Sequence, residues 1–368
     1  MFTRRAVLTL PALAAMAACG RRGRGQGFKG YAFVANEEGQ SIAVLDMEAL
    51  AVAKHIPLDG APTQVLASPT QPFVYALTPA SGTIHEIDVD RLSLARKMTV
   101  AQSAISMELA PDGRALYVLA KEPRSLIRVP LDSGKIDQRL PLPEEPVGFA
   151  IAPDHNTAAV ASRANVRIVD LPRWKLREAA GSGDFSAVRF LADAKTLVAA
   201  NRGQKALSLY DAATSQLVTH LPLSVRPDYL CFNTDGGQLF VTGEGMDAVV
   251  VVYPFHTPEV AETILAGHGP GPMAASKQFL FVANPTSGDV SVVEINSRRV
   301  IAVVSVGSSP GFIAVTPDDQ YVLVLNRASG DVSVLRTAAI TKNRNRRAAV
   351  LTAIPVGARP VSAAVRAV

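Results

Sequence analysis

Two cysteines, one tryptophan and a charged fraction of only 19 % set the first limits on this 368-residue chain. Cys19 has a better explanation than a disulfide, given below, and Cys231 then stands alone in the apolar run Tyr-Leu-Cys-Phe as a small buried hydrophobe, so there is no disulfide framework. Cys and His positions nowhere show zinc-ligand spacing. The longest apolar run near the N-terminus, Ala6 to Ala15, is too short to cross a bilayer as a stable helix. The sequence also lacks a phosphate loop, a dinucleotide fingerprint, a paired-cysteine haem attachment site and a nucleophile elbow. No cofactor and no catalytic residue is therefore indicated by a motif, and the reading leans away from an enzyme.

Charge of one sign is missing from the body. The chain carries 37 Lys and Arg against 32 Asp and Glu. Six of the basic residues (Arg4, Arg5, Arg21, Arg22, Arg24 and Lys29) lie in the first 29 residues, which contain no acid. The remainder holds 31 basic against 32 acidic residues, a formal charge of −1. The basic isoelectric point belongs to the N-terminus, which argues against a nucleic-acid-binding body.

What is present begins with an address. Residues 1–18 have a basic pair, an apolar run and small residues, the order of an export leader. Thr3-Arg4-Arg5-Ala6-Val7-Leu8 is similar to a twin-arginine signal. Met16-Ala17-Ala18-Cys19 resembles a bacterial lipobox, in which Cys19 is lipidated and becomes the new N-terminus. The expected partner of the chain is thus a membrane, reached through a lipid anchor. Residues 19–29 read as a basic tether, and the expected location is the periplasm or cell envelope.

From residue 30 to 368 one unit recurs. Its first apolar run starts at Tyr31, Phe73, Ala115, Thr157, Thr196, Gln238, Phe279 and Tyr321, at spacings of 39 to 42. Each unit holds four short β-rich runs separated by Ser-Gly, Asp-Gly or Gly-x-x-Pro turns. Four strands per period of about 40 residues is the blade of a β-propeller. A single blade cannot bury both faces, so blades must close into a ring. The fold class expected is all-β: one propeller of eight four-stranded blades, with seven as the alternative. The segment 362–368 matches the innermost strand of a unit, while Tyr31 starts a second strand. The C-terminal strand is therefore expected to complete the first blade and close the ring.

Val-Ala-Asn-x-x-Ser-Gly-Asp-Val-Ser-Val at 282–292, echoed at 324–334 and more loosely at 34–44, resembles the YVTN β-propeller repeat family. The resemblance covers nearly all of the chain after residue 30. It implies an exported bacterial or archaeal surface or periplasmic propeller. Related propellers include lactonase-like proteins, the methylamine dehydrogenase large subunit and the haem-binding domain of nitrite reductases; their functional motifs are not found here.

Propeller ligands usually sit at the axis, beside loops that enter the innermost strands and leave the second ones. By that geometry Lys121, Arg163, Arg202, Arg226, Arg327 and Arg359 would form a cationic ring, with His268 in the unusual loop 267–272 beside it. Guanidinium groups there would suit a carboxylate or phosphate ligand. The favoured function is a lipid-anchored, monomeric binding scaffold for a protein or an anionic small molecule. A substrate or cofactor site at the axial mouth (oxidoreductase- or lactonase-like) is the alternative, and an exported DNA-binding propeller is the third reading.

Overall fold

Short runs rich in Val, Ile, Leu and Ala are divided at most reversals by Asp, Asn or Gly, so the chain has strands and turns to build with and little else. A computed structural model describes residues 27–255, 257–342 and 349–368. The leader, Cys19 and the tether up to residue 26 lie outside the described residues, as does most of the basic run 342–347. The described residues form 32 strands, numbered here β1 to β32 in chain order, with one short α-helix at Thr337–Lys342 and a three-residue 3-10 helix at Pro79–Ser81. None of their helices is long and apolar enough to cross a membrane.

The strands make eight antiparallel four-stranded sheets. Seven are built from four consecutive strands. The eighth joins both ends of the body: β1 (Gly30–Asn36), β2 (Ser41–Asp46) and β3 (Ala51–Pro57) are completed by β32 (Pro360–Ala367). Phe33 pairs with Ala364 and Tyr31 with Arg366 in that seam. The expected all-β fold, its eight blades and its closure by the C-terminal strand are all observed. Successive innermost strands touch one another all the way round, which leaves an axis through the middle.

The core explains the ring. The buried apolar residues fall into eight clusters, and each draws on two neighbouring blades. Tyr75 and Leu77 pack with Leu116 and Val118, for example, and Ala32 and Val34 pack with Leu323 and Leu325. The second cluster spans the first and last blades, so it exists only in a closed ring. Hydrophobic surface is thus buried between blades, and no blade has a core of its own.

Turn chemistry is regular. Asp46 and Asp88 each accept two backbone N–H groups through Oδ1 at 2.9 Å, fastening the turn into the outermost strand. Gly288 and Gly330 of the Ser-Gly-Asp turns have φ of 68° and 71°, the left-handed region glycine enters without strain. The blade that starts the short 39-residue spacing is slight: β14 (Val166–Asp170) and β15 (Lys175–Glu178) have five and four residues.

Candidate functional site

In an antiparallel blade the innermost strand begins where the second strand ends. The register shows this directly: Pro360 faces Asn36, Arg226 faces Glu244, Pro310 faces Asn326 and Phe185 faces Asn201. One end of the axis is therefore ringed by the residues at these junctions. Arg226 is the first residue of β20 (Arg226–Phe232), and Arg359 immediately precedes β32. Lys121 lies near the end of β9 (Ala115–Glu122). Arg163, Arg202 and Arg327 follow β13 (Thr157–Ser162), β17 (Thr196–Asn201) and β29 (Tyr321–Asn326). His268 lies in the loop before β24 (Met273–Ala275). Seven blades thus contribute one cationic or imidazole side chain each to this rim.

The rim is a mixed ring of both signs. Arg202 Nε lies 3.1 Å from Asp228 and its Nη2 3.1 Å from Glu244. Glu244 is also 3.8 Å from Arg226. This brings Arg202 and Arg226 together over one shared acid, Glu244. Burial pushes the Asp228 carboxyl above its ordinary value, with Glu244 and Asp184 adding to the effect against Arg202. Arg359 is clasped by Glu37 at 2.9 Å and Glu38 at 3.2 Å. Lys121 sits 3.7 Å from Glu145.

Two guanidinium groups of the rim have no acid among the described residues. Arg327 donates from Nη2 to the carbonyl of Gly311 at 3.2 Å, and Arg163 makes no ion pair among the described residues. Both are exposed. His268 is oriented by Asp247: Nδ1 and Oδ2 are 2.6 Å apart, and the second carboxylate oxygen accepts the Gly269 N–H at 2.9 Å. The Gly269 N–H and His268 together hold the Asp247 carboxyl below its usual range. With Nδ1 engaged, Nε2 of His268 is the nitrogen left to face solvent.

Along the axis lies a feature that sequence reasoning passed over. Four consecutive innermost strands, from β4 (Gln64–Ala67) to β16 (Phe185–Phe190), line a cavity of about 240 Å³. Glu108 and Arg189 project at one level of it. Burial pushes the Glu108 carboxyl up to about 7, opposed by Arg189 and by the backbone N–H of Ile151. Cys231 belongs to the same level, and burial raises its thiol to about 11. The available signal was a charge inside an apolar closing strand, Met107-Glu108-Leu109 and Val188-Arg189-Phe190. Among the described residues, no three His, Cys, Asp or Glu side chains gather as a metal site would need.

No protein-family model matches the chain, and no curated protein matches it. Solved structures do. A dihydro-heme d1 dehydrogenase, NirN, in complex with DHE superposes with a TM-score of 0.78 at 13 % identity, covering 91 % of this chain and 75 % of that one. Apo AztD from Citrobacter koseri gives a TM-score of 0.70 at 15 % identity over 92 % and 98 % of the two chains. Kuenenia stuttgartiensis hydrazine synthase gives 0.60 at 19 % identity over 75 % and 96 %. At these identities the likeness establishes the β-propeller fold, which neighbours of varied function share.

Proposed function

We propose that this chain is an exported, lipid-tethered binding propeller of the YVTN-repeat type, whose axial rim engages a ligand or protein surface bearing acidic groups. One observation carries the reading: seven blades each deliver a basic or imidazole side chain to the same end of the axis. Among the described residues Arg163 and Arg327 have no acidic partner, and the exposed pairs of Arg226 and Lys121 are long. Exposed ion pairs are worth only about 0–1 kcal/mol, so an incoming carboxylate or phosphate competes with them readily. The rigid ring presets the positions of these groups, which reduces the ordering cost of binding. The leader and Cys19 supply the envelope location, and a monomer satisfies both.

The test is binding of citrate and inorganic phosphate to the purified chain, measured by calorimetry at low and high salt. Salt-sensitive binding that falls about tenfold or more in an Arg163→Ala/Arg327→Ala variant is expected, the loss of charge-assisted contacts. Binding unchanged in that variant, or absent from the parent chain, removes the rim as an anion site.

A second reading is favoured by the Asp247–His268 pair. A carboxylate that fixes one imidazole nitrogen and leaves the other outward is the arrangement of a ligand to a metal-centred cofactor or of a general base. NirN, whose structure is similar to this chain's, is a complex with DHE. A visible absorption band in protein purified from its native envelope, lost in His268→Ala, would favour this reading over the scaffold. Colourless, metal-free protein would favour the scaffold.

A further inference from the structure

The axial cavity holds two charges of opposite sign that do not meet. Glu108 comes from β8 (Ser103–Leu109) and Arg189 from β16. Their registers place them at the same height: Glu108 faces Tyr117 and Arg189 faces Val198, each the third residue of its second-strand run. The intervening innermost strand, β12 (Pro146–Ile151), carries Ala150 at that height, opposite Ala159. Across the axis the equivalent positions are Ala274, Ala314 and Ala364. A carboxylate and a guanidinium thus flank a short side chain, while most of the rest of that layer is methyl groups.

Their hydrogen-bonding capacity is only partly used. Oε2 of Glu108 accepts the Ile151 N–H at 3.1 Å, and no bond engages Oε1. Nη1 of Arg189 donates to the Val188 carbonyl at 2.9 Å, and no bond engages Nε or Nη2. The two side chains form no ion pair among the described residues, although the Arg189 charge opposes the upward shift of the Glu108 carboxyl. Two other polar side chains of the cavity are already spent. The Gln64 amide exchanges two 2.8 Å bonds with the backbone of Met107, and Ser186 donates to the Pro227 carbonyl at 2.7 Å. Ser106 adds a hydroxyl with no protein partner. Solvent reaches this space, since Arg189 is exposed despite its place on an innermost strand.

We infer that the axial cavity is a binding site for a small zwitterion, an amino acid whose ammonium group is taken by Glu108 and whose carboxylate is taken by Arg189. Size agrees with the class. At ~30 Å³ per water, 240 Å³ holds roughly eight water-sized volumes, less than a drug-sized pocket and enough for a short amino acid. The charges select for a molecule bearing both signs, because a lone anion meets only Arg189 and a lone cation only Glu108. Gly148 and Ala187 in the lining leave room beside the two charges for the backbone atoms of the ligand.

The probes are glycine, β-alanine and 4-aminobutyrate, titrated into the full chain by calorimetry, with acetate and methylammonium as single-charge controls. At least one amino acid is expected to bind more tightly than either control. Its affinity should fall about tenfold or more in Glu108→Gln and again in Arg189→Gln, the loss of one charge-assisted contact each. Far-UV circular dichroism and the thermal midpoint establish that both variants are folded. The inference is overturned if no amino acid binds at millimolar concentration, if the controls bind as well, or if binding survives both substitutions.

Discussion

The asparagine of the repeat shows how one residue shapes a blade. Asn284 and Asn326 are fully buried at the ends of their strands. Each donates from Nδ2 to the aspartate of the next turn at 2.6 Å and to the following serine at 2.9 Å. The Asn, Asp and Ser of the repeat are therefore one hydrogen-bonded unit, which is why they recur together. Asn326→Ala strips a donor from Asp331 and Ser333 and should cost about 1–3 kcal/mol in denaturant unfolding. Asn36 departs from the pattern by donating to the Val356 carbonyl at 2.7 Å, as its turn lacks the aspartate.

Another prediction at this scale concerns Glu108. Its ordinary carboxyl value is 4.5, and in the folded chain it is about 7. Below pH 4.5 both states hold the proton and the group is neutral in effect. Between 4.5 and about 7 the unfolded chain has released a proton that the folded chain keeps, so stability falls as pH rises. Arg189 and the Ile151 N–H soften this cost. Glu108→Gln should unfold at higher denaturant than the parent chain at pH 8, on the order of 1–3 kcal/mol, and match it at pH 4.

Among elements, the decisive one is β32. It supplies Ala363 to the core shared with the last blade, and Val361 and Ala364 to the core shared with the second. Its Ser362 hydroxyl accepts the Val65 N–H at 3.1 Å, linking two innermost strands. Deleting 360–368 uncovers an edge of β1 and opens two interfaces at once. The truncated chain should aggregate or lose its cooperative thermal transition, read by light scattering and circular dichroism. The junction of β20 with β21 (Leu239–Glu244) is a tighter case. A Cβ on Gly243 would collide with the Arg226 carbonyl, so Gly243→Ala should cost about 1–3 kcal/mol in unfolding free energy and displace Arg226 at the rim.

At the scale of the whole molecule, the ring makes the ends of the body neighbours. The Val368 N–H reaches the Lys29 carbonyl at 3.3 Å, within the sheet that holds both termini. A circular permutant joining 368 to 28 by a short linker and opened between Gly236 and Gly237, an exposed turn, should keep its β-sheet spectrum and melt cooperatively. Loss of folding in that permutant would mean the order of strand addition matters, beyond the closed geometry.

The sequence by itself determined the fold to the level of blade and seam. Periodicity fixes strand starts because each repeat faces the same neighbours, and the phase at Tyr31 and 362–368 dictates which end closes the ring. Turn residues are equally legible, since Asp46, Gly288 and Asn326 act on backbone a few positions away. Which rim cation meets which acid was decided only in three dimensions. Arg202 finds Asp228 and Glu244 from the next blade, 26 and 42 positions on, and no local rule connects them. The axial cavity is the same case on a larger scale. Glu108 and Arg189 lie 81 residues apart and share a level only because eight strands are wound about one axis in matching register. Local spacing governs hydrogen bonds within a blade, whereas electrostatics at the axis depends on distances that exist only once the ring has closed.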